Sequence, residues 1–204
     1  MLFDDTYRTI ENPSEGVFRD RGSKFLGYAF PITSETQIKE IVNRLRDEHP
    51  KANHHCWAMR ISPDRSVFKV NDDGEPSGTA GRPILNILLS RDITNILVVV
   101  VRYFGGTLLG VPGLINAYKQ ATEDALNQAV VIEKTVNDNY DLAFDYLQMN
   151  DVMKIIKDDN LQVLSQQFDN NCTMQIGIRK MQVNQTLAKL DNIEGLTTTY
   201  VTSH

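Results

Sequence analysis

The stretch Ile93-Thr94-Asn95-Ile96-Leu97-Val98-Val99-Val100-Val101-Arg102-Tyr103 decides how the first part of this chain folds. From Ile96 to Val101 no residue is polar, so a strand here has no face for water and needs cover on both sides. The run is strand-sized, far short of the roughly 20 apolar residues that cross a bilayer. Helices to supply the cover are legible on either side. Ser34 with Gln37 three residues on marks a helix start. Ile38, Ile41, Val42 and Leu45 follow at helical spacing, and Pro50 closes the segment. Pro83 at a first helical position opens a second helix that runs through Leu89. Leu114, Tyr118, Ala121, Ala125 and Ala129 stripe a third, whose small residues predict a close approach to a sheet. Further strands are expected at residues 7–11, 17–18 and 24–31. Residues 56–61 and 67–70 read as a strand pair turned by Ser62-Pro63-Asp64.

The second part has a different rhythm. Tyr140, Leu142, Phe144 and Tyr146 alternate as in a half-buried strand, and Cys172, Met174, Ile176 and Ile178 alternate again. Val152, Ile155 and Ile156 mark one helix and Val183, Leu187 and Leu190 another. Residues 161–165 and 196–201 complete the strands, with a hairpin turn at Asp169-Asn170-Asn171. The order βαββαβ is the ferredoxin-like arrangement. The chain therefore reads as α+β in two domains, residues 1–132 and 137–204, divided by the polar segment 133–139.

Charge narrows the possible partners. The net charge is −5 over 204 residues. Residues 1–132 carry 15 Lys and Arg against 16 Asp and Glu, and residues 133–204 carry 6 against 10. Non-specific nucleic-acid affinity comes from neutralised phosphates, so any RNA role must rest on a local patch. Arg60, Lys69, Arg82 and Arg102 are the candidates for one. Acid in the first residues, Asp4 and Asp5, argues against a secretory signal, and two distant cysteines fit a reducing compartment. A cytoplasmic protein without membrane segments is expected; its oligomeric state is open.

Three segments hold the chemistry-bearing residues. His54-His55-Cys56 leads into a strand, where alternation sends the two histidines to opposite faces and discourages a shared metal. Asp72-Asp73-Gly74-Glu75-Pro76-Ser77-Gly78-Thr79-Ala80-Gly81 has three carboxylates in four residues, suited to acid–base work or to an ordinary turn. Arg102-Tyr103-Phe104-Gly105-Gly106, with Gly110 and Gly113, joins the buried strand to a long helix. That layout allows close approach to a phosphate, or simply tight packing. No metal-ligand spacing, no complete nucleophile–base set and no cofactor fingerprint is readable, so no metal or cofactor is expected.

Taken together, these three segments, with Leu109-Gly110, Gly113-Leu114 and Ala117-Tyr118, strongly resemble the IMPACT/YigZ family, in its bacterial two-domain branch. The resemblance implies a first domain like domain IV of elongation factor G, with a GHMP-kinase-like β-α-β topology. It implies a second domain like that factor's domain V. Eukaryotic relatives restrain the amino-acid-starvation kinase of translation initiation, so the resemblance implies a translation-linked regulatory binding protein. Its partner would be RNA, the ribosome or a ribosome-associated protein. The alternative is an enzyme or a binder of a small phosphate-bearing ligand. The expected functional surface is His54, Asp73, Gly74, Glu75, Gly78, Gly81, Arg82, Arg102, Tyr103, Gly105, Gly106, Gly110 and Tyr118. His54, the Asp73-Glu75 loop and the Gly105-Gly106 turn are expected to converge on one pocket.

Overall fold

The structure, a computed structural model, describes residues 5–168 and 172–203. The hairpin turn expected at Asp169-Asn170-Asn171 lies outside the described residues. The chain divides into two compact units: Tyr7–Lys134, and residues from Thr135 onward together with the N-terminal Asp5 and Thr6. No helix among the described residues is long and apolar enough to cross a membrane.

The first unit is built on a five-stranded sheet. In order across the sheet stand β2 (Ser14–Asp20), β3 (Ser23–Pro31), β6 (Ile96–Tyr103), β4 (His54–Ile61) and β5 (Val67–Asn71). All neighbours are antiparallel. The all-apolar run sits in the central strand β6 and is buried throughout. Ile96, Val98 and Val100 face one core with α2 (Gly81–Ser90) and α3 (Gly110–Asn127). Leu97, Val99 and Val101 face the other, with α1 (Thr36–Glu48). α1 joins β3 to β4 and α2 joins β5 to β6, two parallel crossovers running in opposite directions over the sheet. Right-handed connections would place both helices on one face. They lie on opposite faces, so one crossover is left-handed. The small residues of α3 allow the expected close approach: a Cβ on Gly27 of β3 would lie 2.4 Å from the Ala121 carbonyl oxygen. A separate two-stranded sheet pairs β1 (Thr6–Ile10) with β7 (Val131–Thr135).

The second unit is the βαββαβ arrangement. β8 (Asn137–Phe144), α4 (Met149–Asp158), β9 (Gln162–Phe168), β10 (Cys172–Arg179), α5 (Val183–Leu190) and β11 (Thr197–Ser203) follow one another, with sheet order β11-β8-β10-β9. The alternating Leu142, Phe144, Met174, Ile176 and Ile178 form its core with Val152, Ile156 and Leu190.

Two local expectations need correction. Tyr146 is not in a strand: the Asp145–Gln148 capping box, in which Asp145 N donates to Gln148 Oε1 at 2.7 Å, turns the chain into a 3-10 turn there. Pro83 is the third residue of α2, not the first, because the Asp72 carboxylate holds the amides of Ala80 and Gly81 and starts the helix earlier. The division between the units, at Lys134 and Thr135, falls inside the expected segment 133–139, which is regular structure. The segment runs from β7 into β8 with only Val136 between, and Val136 is buried. Its amide donates to Asp5 O and its carbonyl accepts from Lys180 N.

Candidate functional site

β4 and β6 are in register with His54 opposite Arg102, so both side chains leave the sheet on the α2–α3 face. The loop after β5 then delivers Glu75 to them. Glu75 Oε1 accepts from Arg102 Nη1 at 2.6 Å and from the Tyr118 hydroxyl of α3 at 2.8 Å. Behind this pair, the Cys56 thiol donates to Tyr118 Oη at 3.2 Å. His54 Nε2 stands 3.9 Å from Glu75 Oε1. Its Nδ1 lies 2.8 Å from the Asp73 carbonyl oxygen, which only accepts, so Nδ1 carries the proton of the neutral ring. The Arg102 guanidinium is sandwiched between the rings of Phe25 and Phe104, 5.3 and 5.5 Å from their centroids. Buried charge of this kind is tolerable only because it is paired and hydrogen-bonded. Burial pushes both the Tyr118 hydroxyl and the Cys56 thiol far above their ordinary pKa values, so neither ionises in use.

These groups floor a cavity of about 440 Å³ lined by Asn53, His54, Glu75, Pro76, Arg102, Phe104, Leu108, Leu109, Gly110, Val111 and Leu114. Its mouth is apolar, with Leu108 82%, Val111 52% and Phe104 44% exposed. A larger cavity of about 550 Å³ in the second unit is bordered largely by charged side chains at the α4–α5 ends, including Lys189, which is already paired with Asp159. Of these two cavities, the one in the first unit joins buried charges to an apolar rim.

The three carboxylates of the loop go three ways, which removes them as a shared cation site. Asp72 caps α2: Oδ1 accepts from Ala80 N and Gly81 N, and Oδ2 from Gly78 N. It supplies its own anion to that helix N-terminus. Asp73 ties the start of β4, accepting from His55 N at 2.6 Å and from Arg46 at 2.9 Å. Only Glu75 enters the cavity. Gly74, at φ +87°, makes the turn that lays the loop against the His54 ring.

Of the expected surface, His54, Glu75, Arg102 and Gly110 line one cavity, Tyr118 stands just behind it, and Asp73 and Gly74 orient His54. The rest do not join them. Gly78 and Gly81 serve the Asp72 cap, and Arg82 is exposed on α2. Tyr103 points to the opposite face of the sheet, where its hydroxyl lies 2.9 Å from His49 Nδ1. The Gly105-Gly106 turn misses the cavity, because Gly105 packs on the β2–β3 turn: a Cβ there would lie 2.0 Å from Gly22 C. His55 is buried on the α1 face, and that burial holds its imidazole pKa below the ordinary value. The proposed basic face does not assemble: of its four members only Arg82 is exposed without an ion pair among the described residues. Arg60 and Arg102 are buried against Asp92 and Glu75, and Lys69 pairs with Glu35. Leu108, Val111, Phe104 and Asn53 were missed, although the exposed apolar pair flanking Gly110 was a readable signal.

Comparison with known proteins places this geometry. Residues 21–126, which carry every element of the cavity, match the Impact N-terminal domain. The Escherichia coli (strain K12) IMPACT family member YigZ is 34% identical over 170 residues, 82% of this chain and 83% of that protein. A crystal structure described as that of a hypothetical protein superposes with a TM-score of 0.72 at 28% identity, covering 98% of this chain and 99% of that one. Yih1, described as a two-domain translational regulator, is 29% identical over 63% of this chain and 49% of that one, with a TM-score of 0.36. The chain belongs to the IMPACT family.

Proposed function

We propose that the protein is a translation-linked regulatory binding protein that docks a ribosome-associated protein at the mouth of the first unit's cavity. The link to translation follows what the family resemblance implies. The choice of a protein partner over RNA rests on one observation: Leu108, Val111 and Phe104 stand exposed around the cavity, while Arg60, Arg102 and Lys69 of the four candidate phosphate-binding cations are buried or paired and Arg82 alone is left exposed. Exposed apolar side chains rimming a pocket are the surface of a protein contact, whereas RNA affinity needs free cations.

The test is co-sedimentation with ribosomes and pull-down of ribosome-associated proteins at low and high salt. Leu108→Asp removes nothing buried and sets a charge in the contact, so partner binding should fall about tenfold or more. Wild-type binding should change little with salt. Steep salt dependence with no effect of Leu108→Asp refutes the docking surface and returns the RNA reading.

A further inference from the structure

The cavity floor carries polar groups that docking at the mouth leaves unused. Arg102 is 5% exposed, yet only its Nη1 is engaged; Nε and Nη2 make no hydrogen bond among the described residues. Glu75 Oε1 takes bonds from both Arg102 and Tyr118, while Oε2 takes none among the described residues. His54 directs Nδ1 to the Asp73 carbonyl and Nε2 toward Glu75, and in the Nδ1–H tautomer Nε2 is an acceptor. Unfilled acceptors and the unfilled donors of a buried guanidinium thus stand side by side. The N-terminus of α3 at Gly110 adds its positive end to the same cavity, with no acidic residue in its first turn and no side-chain cap.

Charge decides what fits. A simple anion is repelled by Glu75 and a simple cation by Arg102, so a ligand of one sign gains on one side and loses on the other. Opposite charges two bonds apart match a carboxylate and a guanidinium held 2.6 Å from one another. The rest of the wall, Leu109, Val111 and Leu114 with Phe104, suits an aliphatic body. We propose that this cavity binds a zwitterionic small molecule, an α-amino acid with an aliphatic side chain. Its ammonium group meets Glu75 and His54 Nε2. Its carboxylate meets Arg102 and the unpaired amides of Gly110 and Val111 at the start of α3, where Pro112 offers none, and its side chain lies toward the mouth. The inference takes the docking cavity as its site and names a ligand for its floor.

The test is calorimetric titration of the full chain with L-leucine, L-leucinamide and N-acetyl-L-leucine, backed by thermal shift. Leucine should bind saturably and raise the melting temperature. Each blocked analogue, lacking one charge, should bind about tenfold more weakly or worse, because a charge-assisted hydrogen bond is lost and a buried group stays unpaired. The comparison lies on the ligand side, so it holds even if Arg102 or Glu75 variants do not fold. His54→Ala, at a partly exposed position, should weaken leucine binding. Equal affinity for N-acetyl-leucine makes the site a plain anion site, and equal affinity for leucinamide a plain cation site. Either overturns the proposal, as does no response to millimolar leucine or unchanged leucine affinity in folded His54→Ala. The Leu108→Asp assay is read separately. Leucine binding without a partner effect sinks only the docking reading, and a partner effect without leucine binding sinks only this one.

Discussion

Replacing Arg102 by Met tests whether the cavity floor is held by a coupled buried ion pair. Methionine keeps an unbranched stem between the Phe25 and Phe104 rings but loses the 2.6 Å bond to Glu75. The Glu75 side chain, 4% exposed, is then left charged with only the Tyr118 hydroxyl on it. Breaking a buried pair in this way costs about 3–5 kcal/mol, because the surviving charge has neither water nor a counter-ion. For a chain of this size about 1 kcal/mol moves the melting temperature by roughly 2–4 °C, so a fall of roughly 6–20 °C is expected. Glu75→Gln alone should cost less, since the amide oxygen still accepts from both partners. The double variant leaves no buried charge and should be more stable than Arg102→Met by about 2 kcal/mol. The assay is urea unfolding followed by the fluorescence of Trp57, the only tryptophan, which lies on β4 and so reports on the first unit. Costs that add to within about 0.5 kcal/mol across the cycle refute the coupled pair.

Other expectations follow from single contacts. Gly105→Ala should be far more damaging than Gly106→Ala. The first forces a Cβ into the Gly22 backbone at 2.0 Å, while the second meets open space and costs only the left-handed backbone penalty of about 1–2 kcal/mol; comparable melting temperatures contradict this. In the second unit, hydrogen bonds from Arg179 to Asp5 and from Lys189 to Asp159 hold both carboxyls below the ordinary carboxylate range. A lowered folded-state pKa gives stability that is present above the unfolded value and is lost as pH falls through the folded one. Asp5→Asn with Asp159→Asn should therefore flatten the acid limb of a circular-dichroism titration below about pH 5 and leave its neutral side unsloped. Cys56 and Cys172 are at most 1% exposed, so a thiol reagent at mild alkaline pH should label neither in the native protein and both in urea. Fast native labelling contradicts the buried Cys56–Tyr118–Glu75 network.

Local pattern made most of the elements legible. The apolar run of β6 required two covered faces, and the alternation of Leu142 and Phe144 with Met174, Ile176 and Ile178 marks the core of the second unit in the sequence itself. Both signals survive because periodicity depends only on which way successive side chains point. The meeting of His54 with Glu75 was also readable, since both lie at strand ends along one sheet edge. Partner choice was not readable. Nothing local distinguishes Arg102, buried on Glu75, from Arg82, exposed on α2. Nothing local says that Asp72 caps a helix, Asp73 ties a strand and Glu75 floors a cavity. The polar composition of residues 133–139 marked the boundary but not that β7 and β8 run through it, with strand partners β1 and β10 from distant parts of the chain. Composition and spacing by themselves determined the α+β elements and the segments where the chemistry lies. Which charges are neutralised, which face Tyr103 takes and where the Gly105-Gly106 turn points were decided only by tertiary structure. Those outcomes depend on strand register and on contacts 27 to 86 residues apart, where pairing and desolvation set the energy.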